Sequence, residues 1–310
     1  MKSGFVSIVG KPNAGKSSLV NTILKEKISI TSKKAQTTRN AIIGVYNGDD
    51  CQIVFLDTPG IHKANTVLGS YMNKEALKNS DGVDVIYYLV DAKKGMDDED
   101  DEILKQILTY RIPVFLLLNK IDLIGKEQLM KRIVYASSKY DFKEIIPISA
   151  KEDNNINELL DTTLKYMQDD IMFYPEDTVT NTTIDFRIAE IIREKILERC
   201  DQEIPHFVAC KVESLKIKGN KAYIEATIVC NKDTHKAIII GHHGKKLQSI
   251  NLSASKDISI MLHKRVIMSL FVKVEEDWMN KNSKLFDLGY FIGDKYDNYS
   301  RRYNCCLFGL

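Results

Sequence analysis

The chain has 310 residues, with 44 Lys+Arg against 42 Asp+Glu, 44% hydrophobic residues and 28% charged ones. That length predicts two domains, each able to bury its own core, and the composition excludes a mainly disordered, collagen-like or low-complexity chain. The longest apolar runs, such as 112–118, are too short to cross a bilayer, and residues 1–10 lack the charged-then-apolar plan of a secretory signal, so a cytosolic location is expected.

Residues 5–9, 52–56, 83–90, 114–118 and 145–148 are predicted as buried strands, and Lys16–Leu24, 98–110, 126–140 and 155–167 as helices. Strands alternating with helices at this spacing imply a mostly parallel sheet covered on both faces, with its ligand site at the carboxyl ends of the strands. The pattern stops around 168–183, where Pro175 precedes a run of Thr and Asn, which predicts a linker over 171–182. Beyond it come a helix over Ile184–Arg199, a hairpin of strands 207–217 and 222–230 turning at Gly219-Asn220, helices flanking 241–244, and a strand over 266–274. That order is an α+β domain over 183–290. Residues 291–310, rich in Tyr, Asn, Asp and Cys, show no amphipathic period and are expected to form a tail. The 6 cysteines contain no Cys-x-x-Cys pair and no His placed to complete a zinc site, so reduced thiols and no structural metal are expected.

Four segments of the first domain carry chemistry. Gly10, Lys11, Pro12, Asn13, Ala14, Gly15, Lys16 and Ser17, with Ser18 next, fit the P-loop pattern between a strand and a helix. The glycines let backbone N–H groups converge on phosphates, Lys16 reaches the outer phosphates, and Ser17 offers a hydroxyl to Mg²⁺. Asp57-Thr58-Pro59-Gly60 closes the next strand, placing Asp57 to hold the magnesium shell through water and leaving the Gly60 N–H to meet the terminal phosphate. Asn119-Lys120-Ile121-Asp122 follows a further strand. The Asp122 carboxylate suits the N1 and N2 donors of guanine, a pair that adenine lacks, so an adenine ligand would leave it unpaired. Ser149-Ala150-Lys151, after a third strand, can aim the Ala150 N–H at the guanine carbonyl while the Lys120 stem covers the ring. Thr37 and Thr38 lie between the P-loop helix and the Asp57 strand, where one hydroxyl should bind Mg²⁺ in the triphosphate state and let go after hydrolysis.

These motifs predict a GTPase that uses GTP, GDP and Mg²⁺, with slow intrinsic turnover. Ile61 stands where many small GTPases carry a water-orienting Gln, and a solvated role is favoured for His62 over direct catalysis. Asn13 is a candidate to help a monovalent cation, K⁺, approach the phosphates in place of an arginine finger. Since no general base is evident, a guanine-nucleotide binding module with negligible turnover stands as an alternative.

In the second domain, Gly241-His242-His243-Gly244 joins two helices after a hairpin and before a strand, which describes a KH module: its glycine loop admits a nucleic-acid backbone. Lys236, Lys245 and Lys246 would face phosphates. Residues 238–240 are expected in the core, with Ile240 at the groove wall. Charge supports a polyanion partner, because residues 1–174 hold 23 basic and 24 acidic side chains whereas 211–265 hold 11 and 4. Trp278 is expected to pack, not to stack on a base. The competing reading is a membrane-associated signalling GTPase whose second domain binds protein or lipid.

The chain resembles the Era family of bacterial GTPases. The resemblance rests on 27–39 (KISITSKKAQTTR) as switch segment, 190–195 (EIIREK) as first helix of the second domain, and Val272-Lys273-Val274, Asp277-Trp278 and Leu288-Gly289-Tyr290 as closing strand and helix. It covers about residues 1–290; the tail has no counterpart. It implies a P-loop GTPase domain over 1–170 joined to a type II KH domain, and it favours Thr38 as the switch hydroxyl, acting with Lys16 and Gly60 in catalysis. It further implies binding to the 3′ end of small-subunit ribosomal RNA, a role in late assembly of the small ribosomal subunit, and loose contact with the inner membrane face. A monomer is expected.

Overall fold

The computed structural model describes residues 1–32, 34, 37–60, 66–78, 82–169, 171–200 and 204–290, with 74–78 described through their backbone alone. Ile61, His62 and the tail 291–310 lie outside the described residues. In chain order the elements are β1 (Lys2–Gly10), α1 (Lys16–Leu24), β2 (Ile42–Gly48), β3 (Cys51–Asp57), α2 (Val67–Lys78), β4 (Val85–Asp91), α3 (Asp98–Ile107), β5 (Val114–Asn119), α4 (Lys126–Lys139), β6 (Glu144–Pro147), α5 (Ile156–Leu164), β7 (Gln168–Asp169), α6 (Ile184–Arg199), β8 (Val208–Lys218), β9 (Lys221–Cys230), α7 (Asp233–Ile240), α8 (Lys245–Leu262), β10 (Arg265–Val274) and α9 (Asn282–Asp287). The chain divides into two compact units, one made of residues 1–64 and 69–181 and the other of 65–68 and 182–310.

The first unit holds a sheet in the order β2-β3-β1-β4-β5-β6, with β7 on the start of β1. The pairs from β3 to β6 are parallel, and β2 joins as an antiparallel edge. Val85, Ile86, Tyr87, Tyr88 and Leu89 of β4 are all fully buried, as a strand covered on both faces requires. Two features were not foreseen. Residues 42–48, for which no element is predicted from the sequence, pair along β3 from Ile42↔Asp57 to Gly48↔Cys51, and α2 follows the Asp57 strand.

The expected linker over 171–182 is, up to Asn181, a strap on the sheet edge. Gln52 receives the Phe173 and Tyr174 N–H groups at 2.7 and 3.0 Å and donates to the Tyr174 carbonyl at 2.8 Å. The Val45 N–H reaches the Val179 carbonyl at 2.8 Å, and the Thr180 hydroxyl donates to the Ile43 carbonyl at 2.7 Å. An edge strand leaves backbone donors and acceptors that must be satisfied, and an irregular Thr/Asn segment meets that need with no periodicity to betray it.

In the second unit β9 is central, antiparallel to β8 and parallel to β10. Ile224, Ala226 and Ile228 of β9 are buried in one core with Ile188 and Ile192 of α6 and Ile250, Ala254 and Ile258 of α8. The alternate residues of β10, and Lys221, Tyr223 and Glu225 of β9, face solvent. Trp278 is fully buried with its indole N–H on the Phe207 carbonyl at 3.2 Å, so it packs.

Candidate nucleotide and nucleic-acid sites

At the end of β1 the backbone turns through positive φ at Gly10, Asn13 and Gly15 (150°, 66° and 104°). A side chain at Gly10 would strike the Leu89 carbonyl of β4, so the approach of two strands demands glycine there. Helix α1 begins with no side-chain cap, which leaves its first N–H groups to a ligand. Lys16 is buried, its ammonium on the Gly10 and Lys11 carbonyls at 3.0 and 3.2 Å. Burial holds its pKa down to about 8, against the opposing pull of Asp57. An open cleft lies between the P-loop and the switch segment, lined among others by Lys16, Ser17, Thr38 and Gly60.

The Ser17 and Thr38 hydroxyls, 21 residues apart, meet at 2.7 Å. Asp57 is wholly buried and neither carboxylate oxygen has a geometrically sound hydrogen-bond partner, although the Ser17 and Ser29 hydroxyls lie near enough to help hold its charge. Burial pushes its pKa up, opposed first by Lys16 and then by those hydroxyls. An orphaned buried carboxylate beside two hydroxyls is the donor set a hard divalent cation requires, and Mg²⁺ fits it. Gly60 lies against the backbone of Pro12, which a Cβ would crowd at 3.0 Å.

The guanine motifs are brought together by side chains. Asn119 donates from Nδ2 to the Ala14 carbonyl at 2.8 Å, and its Oδ1 accepts the Lys120 and Ala150 N–H groups at 2.8 and 3.0 Å. It therefore latches the P-loop to the 149–151 loop, and the Ala150 N–H expected on the base points at Asn119. Ser149 donates to Asp122 Oδ1 at 2.6 Å. Lys120 reaches the Asn13 carbonyl at 2.6 Å and Asp91 at 2.8 Å. Burial raises the Asp91 pKa, but its hydrogen bond and charge contact with Lys120 outweigh that and hold it below the ordinary carboxylate value. Lys151 is exposed and pairs with Glu152.

Lys11, expected at the phosphates, sends its side chain to the start of α3, pairing with Asp97 at 2.6 Å and the fully buried Asp100 at 2.8 Å. Asp97 and Asp100 form the capping box of that helix, whose Asp-rich first turn complements the helix dipole, so a cation there completes the charge balance. Sequence reasoning missed Asp91, Asp97, Asp100 and Asn21. Asn21 of α1 accepts the Ile28 and Ser29 N–H groups, both at 3.0 Å, shaping the entry to the switch segment. A polar residue inside a short helix was the only available signal.

In the second unit α7 ends at Gly241 (φ 71°) and α8 begins after Gly244 (φ 75°). A Cβ on Gly241 would meet Lys246 at 2.6 Å. His242 and His243 are exposed and pack edge to face at 4.0 Å. Lys245 is exposed, and Lys236, Lys246 and Ile240 are half-buried. Of the three isoleucines expected in the core only Ile239 is buried; Ile238 is 42% exposed, because the helix turns His235 and Ile239 inward together.

Over residues 5–120 the chain matches a family model described as a 50S ribosome-binding GTPase, and over 203–279 one described as a KH domain. It is similar to a solved point variant of Era from Aquifex aeolicus bound to GDP and AlF4⁻, at 36% identity and TM-score 0.92, with 94% of this chain and 100% of that chain covered. An Era complex with MgGDPNP and nucleotides 1506–1542 of 16S ribosomal RNA matches at 37% identity and TM-score 0.92 over the same shares. A P-loop GTPase unit followed by a KH unit with one parallel and one antiparallel strand pair defines the class of protein. Full-length likeness at this identity makes it specific: the chain belongs to the Era family and is a GTPase.

Proposed function

We propose that this chain is a GTP-hydrolysing switch that binds small-subunit ribosomal RNA near its 3′ end through the KH unit and assists assembly of the small ribosomal subunit. The observation that carries the reading is the convergence, at the carboxyl edge of one parallel sheet, of a P-loop, an orphaned acid and a guanine carboxylate, in the same chain as a glycine loop set among lysines. Gly10, Lys11, Pro12, Asn13, Ala14, Gly15, Lys16, Ser17 and Ser18 hold the phosphates, Lys11 through its backbone. Ser17 and Thr38 ligate Mg²⁺, with Asp57 behind a water. Asn119, Lys120, Asp122, Ser149, Ala150 and Lys151 form the guanine pocket, with Asn119 acting through the loops that it joins. Lys16, Thr38 and the Gly60 N–H stabilise charge on the transferred phosphoryl.

The RNA reading is supported by the full-length likeness to Era solved with a 16S fragment, which outweighs the 50S description of a family model confined to residues 5–120. Lys236, Lys245 and Lys246 take phosphates, Ile240 walls the groove, and Gly241, His242, His243 and Gly244 form the loop beneath the backbone. Binding of an RNA bearing nucleotides 1506–1542 of 16S ribosomal RNA, compared between native protein and the Lys245→Glu/Lys246→Glu variant, tests it. The variant should lose affinity and part of its salt dependence. For Asn13 we propose a K⁺-assisted role; phosphate release at equal rates in K⁺ and Na⁺ would remove it.

A further inference from the structure

The three strands of the second unit carry their helices on one face, and among the described residues the other face is exposed over Lys221, Tyr223 and Glu225 of β9 and closes only at its far end, where Val229 and Ala209 are buried. In the strand register Lys218, Lys221 and Arg265 lie side by side, one on each strand, and all three are exposed. The next row toward the middle of the sheet is Lys216, Tyr223 and Ile267, with Tyr223 38% and Ile267 43% exposed. Glu225 follows, flanked by Ser214 and Ser269, and beyond it Phe271 is 59% exposed beside Thr227. Like charges directly across a sheet destabilise it, and an exposed Tyr and Phe on a bare face gain nothing from folding. Farther along the face the cations are compensated: Glu213 pairs with Lys211, and Glu275 with Lys273 and Lys284. Among the described residues no carboxylate pairs with Lys216, Lys218, Lys221 or Arg265.

Aromatic rings standing on a sheet among unpaired cations are what an unstacked nucleic-acid strand requires, the rings taking base faces and the cations taking phosphates. We propose that this open face is a second RNA surface, separate from the glycine-loop groove, on which single-stranded RNA stacks one base on Tyr223 and another on Phe271 while Lys216, Lys218, Lys221 and Arg265 hold its phosphates. The two rings stand four residues apart along the strands, roughly 13 Å. That exceeds the 3.4 Å step of stacked bases several-fold, so each ring receives its own base. This deepens the RNA-binding reading above, and the experiment separates the two.

The full chain is titrated with two unpaired RNAs, one of about four nucleotides, the length a KH loop clamps, and one of about twelve. With the longer RNA, Tyr223→Thr should weaken binding roughly tenfold and Tyr223→Phe should restore it. The Lys218→Thr/Lys221→Thr/Arg265→Thr variant should lower the salt slope by about 2 and melt no lower than the native protein. Neither change should affect the four-nucleotide RNA, which only Lys245→Glu/Lys246→Glu should weaken. Native affinity of Tyr223→Thr for the longer RNA overturns the proposal, as does equal loss on both RNAs. Loss confined to the cation row, with Tyr223 and Phe271 indifferent, overturns it in favour of duplex phosphates. Loss of binding to phosphatidylserine vesicles with RNA affinity intact overturns it in favour of a lipid surface. If the four-nucleotide RNA fails to bind while the longer one depends on Tyr223, the groove reading falls and the sheet surface stands.

Discussion

Asp122 is held ready by one neighbour: the Ser149 hydroxyl donates to Oδ1 at 2.6 Å, which fixes the carboxylate without neutralising it. Asp122→Asn replaces an acceptor pair by an acceptor and a donor, so GTP should bind about a hundredfold more weakly and xanthosine triphosphate more tightly, as calorimetry with both nucleotides would report. Lys16 makes a second prediction. Its folded pKa of about 8 lies below the ordinary 10.5, so near pH 8 a fraction of the side chain is neutral. The triphosphate is already ionised there and favours the ammonium, so nucleotide binding near pH 8 should take up protons, read as a dependence of binding heat on buffer ionisation enthalpy. Without nucleotide the sign of the stability effect follows from the same depression. The buried ammonium costs stability below pH 8, and that cost is relieved as pH rises from about 8 toward 10.5. Lys16 and Asp122 were legible because their motifs are contiguous and their chemistry is local. Asp91 and Asn21 were not, since each acquires its role from a partner supplied by folding, Lys120 across strands for one and the switch-segment backbone for the other.

At the scale of elements, the strands of the parallel sheet were readable because a strand buried on both faces is an unbroken apolar run, as in β4 and β5. Strand β2 escaped because Gly44, Asn47 and Gly48 dilute its apolar character, and an edge strand has no second buried face to announce it. Its covering strap, which also leads into the second unit, shows no periodicity in sequence for the same reason. Gln52 shows how much the strap matters: its side chain is fully buried and bonds the Phe173 N–H, the Tyr174 N–H, the Tyr174 carbonyl and Asn47. Gln52→Leu keeps the volume but leaves those partly buried backbone groups unpaired, which at the low end of the about 1–3 kcal/mol cost of a buried unpaired group is about 1 kcal/mol for each. Urea unfolding of the full chain should show a loss of roughly 3 kcal/mol. A change under 0.5 kcal/mol, the ordinary size for a surface substitution, would mean that the strap is peripheral to stability.

For the molecule as a whole, a switch requires that RNA affinity differ between nucleotide states, and only contacts that differ between those states can supply the difference. Thr38 is the residue in the described site best placed to create it. Its hydroxyl already meets that of Ser17 at the end of the P-loop, and a triphosphate-bound Mg²⁺ would draw both in where a diphosphate would not. If the second unit binds RNA better in the ordered state, linkage demands that RNA tighten the non-hydrolysable GTP analogue by the same factor, typically 5- to 150-fold for such couplings. Thr38→Ala should therefore bring the two RNA affinities together and abolish the reciprocal gain in nucleotide affinity, while leaving GDP binding close to native. Fluorescence anisotropy of the RNA bearing nucleotides 1506–1542, measured with GDPNP and with GDP on native and variant protein, reads all of these quantities. Equal affinities in the native protein would show that the two units work side by side without coupling. A coupling that survives Thr38→Ala would move the sensing element to the other half of the phosphate site, the segment after Asp57 that carries Gly60.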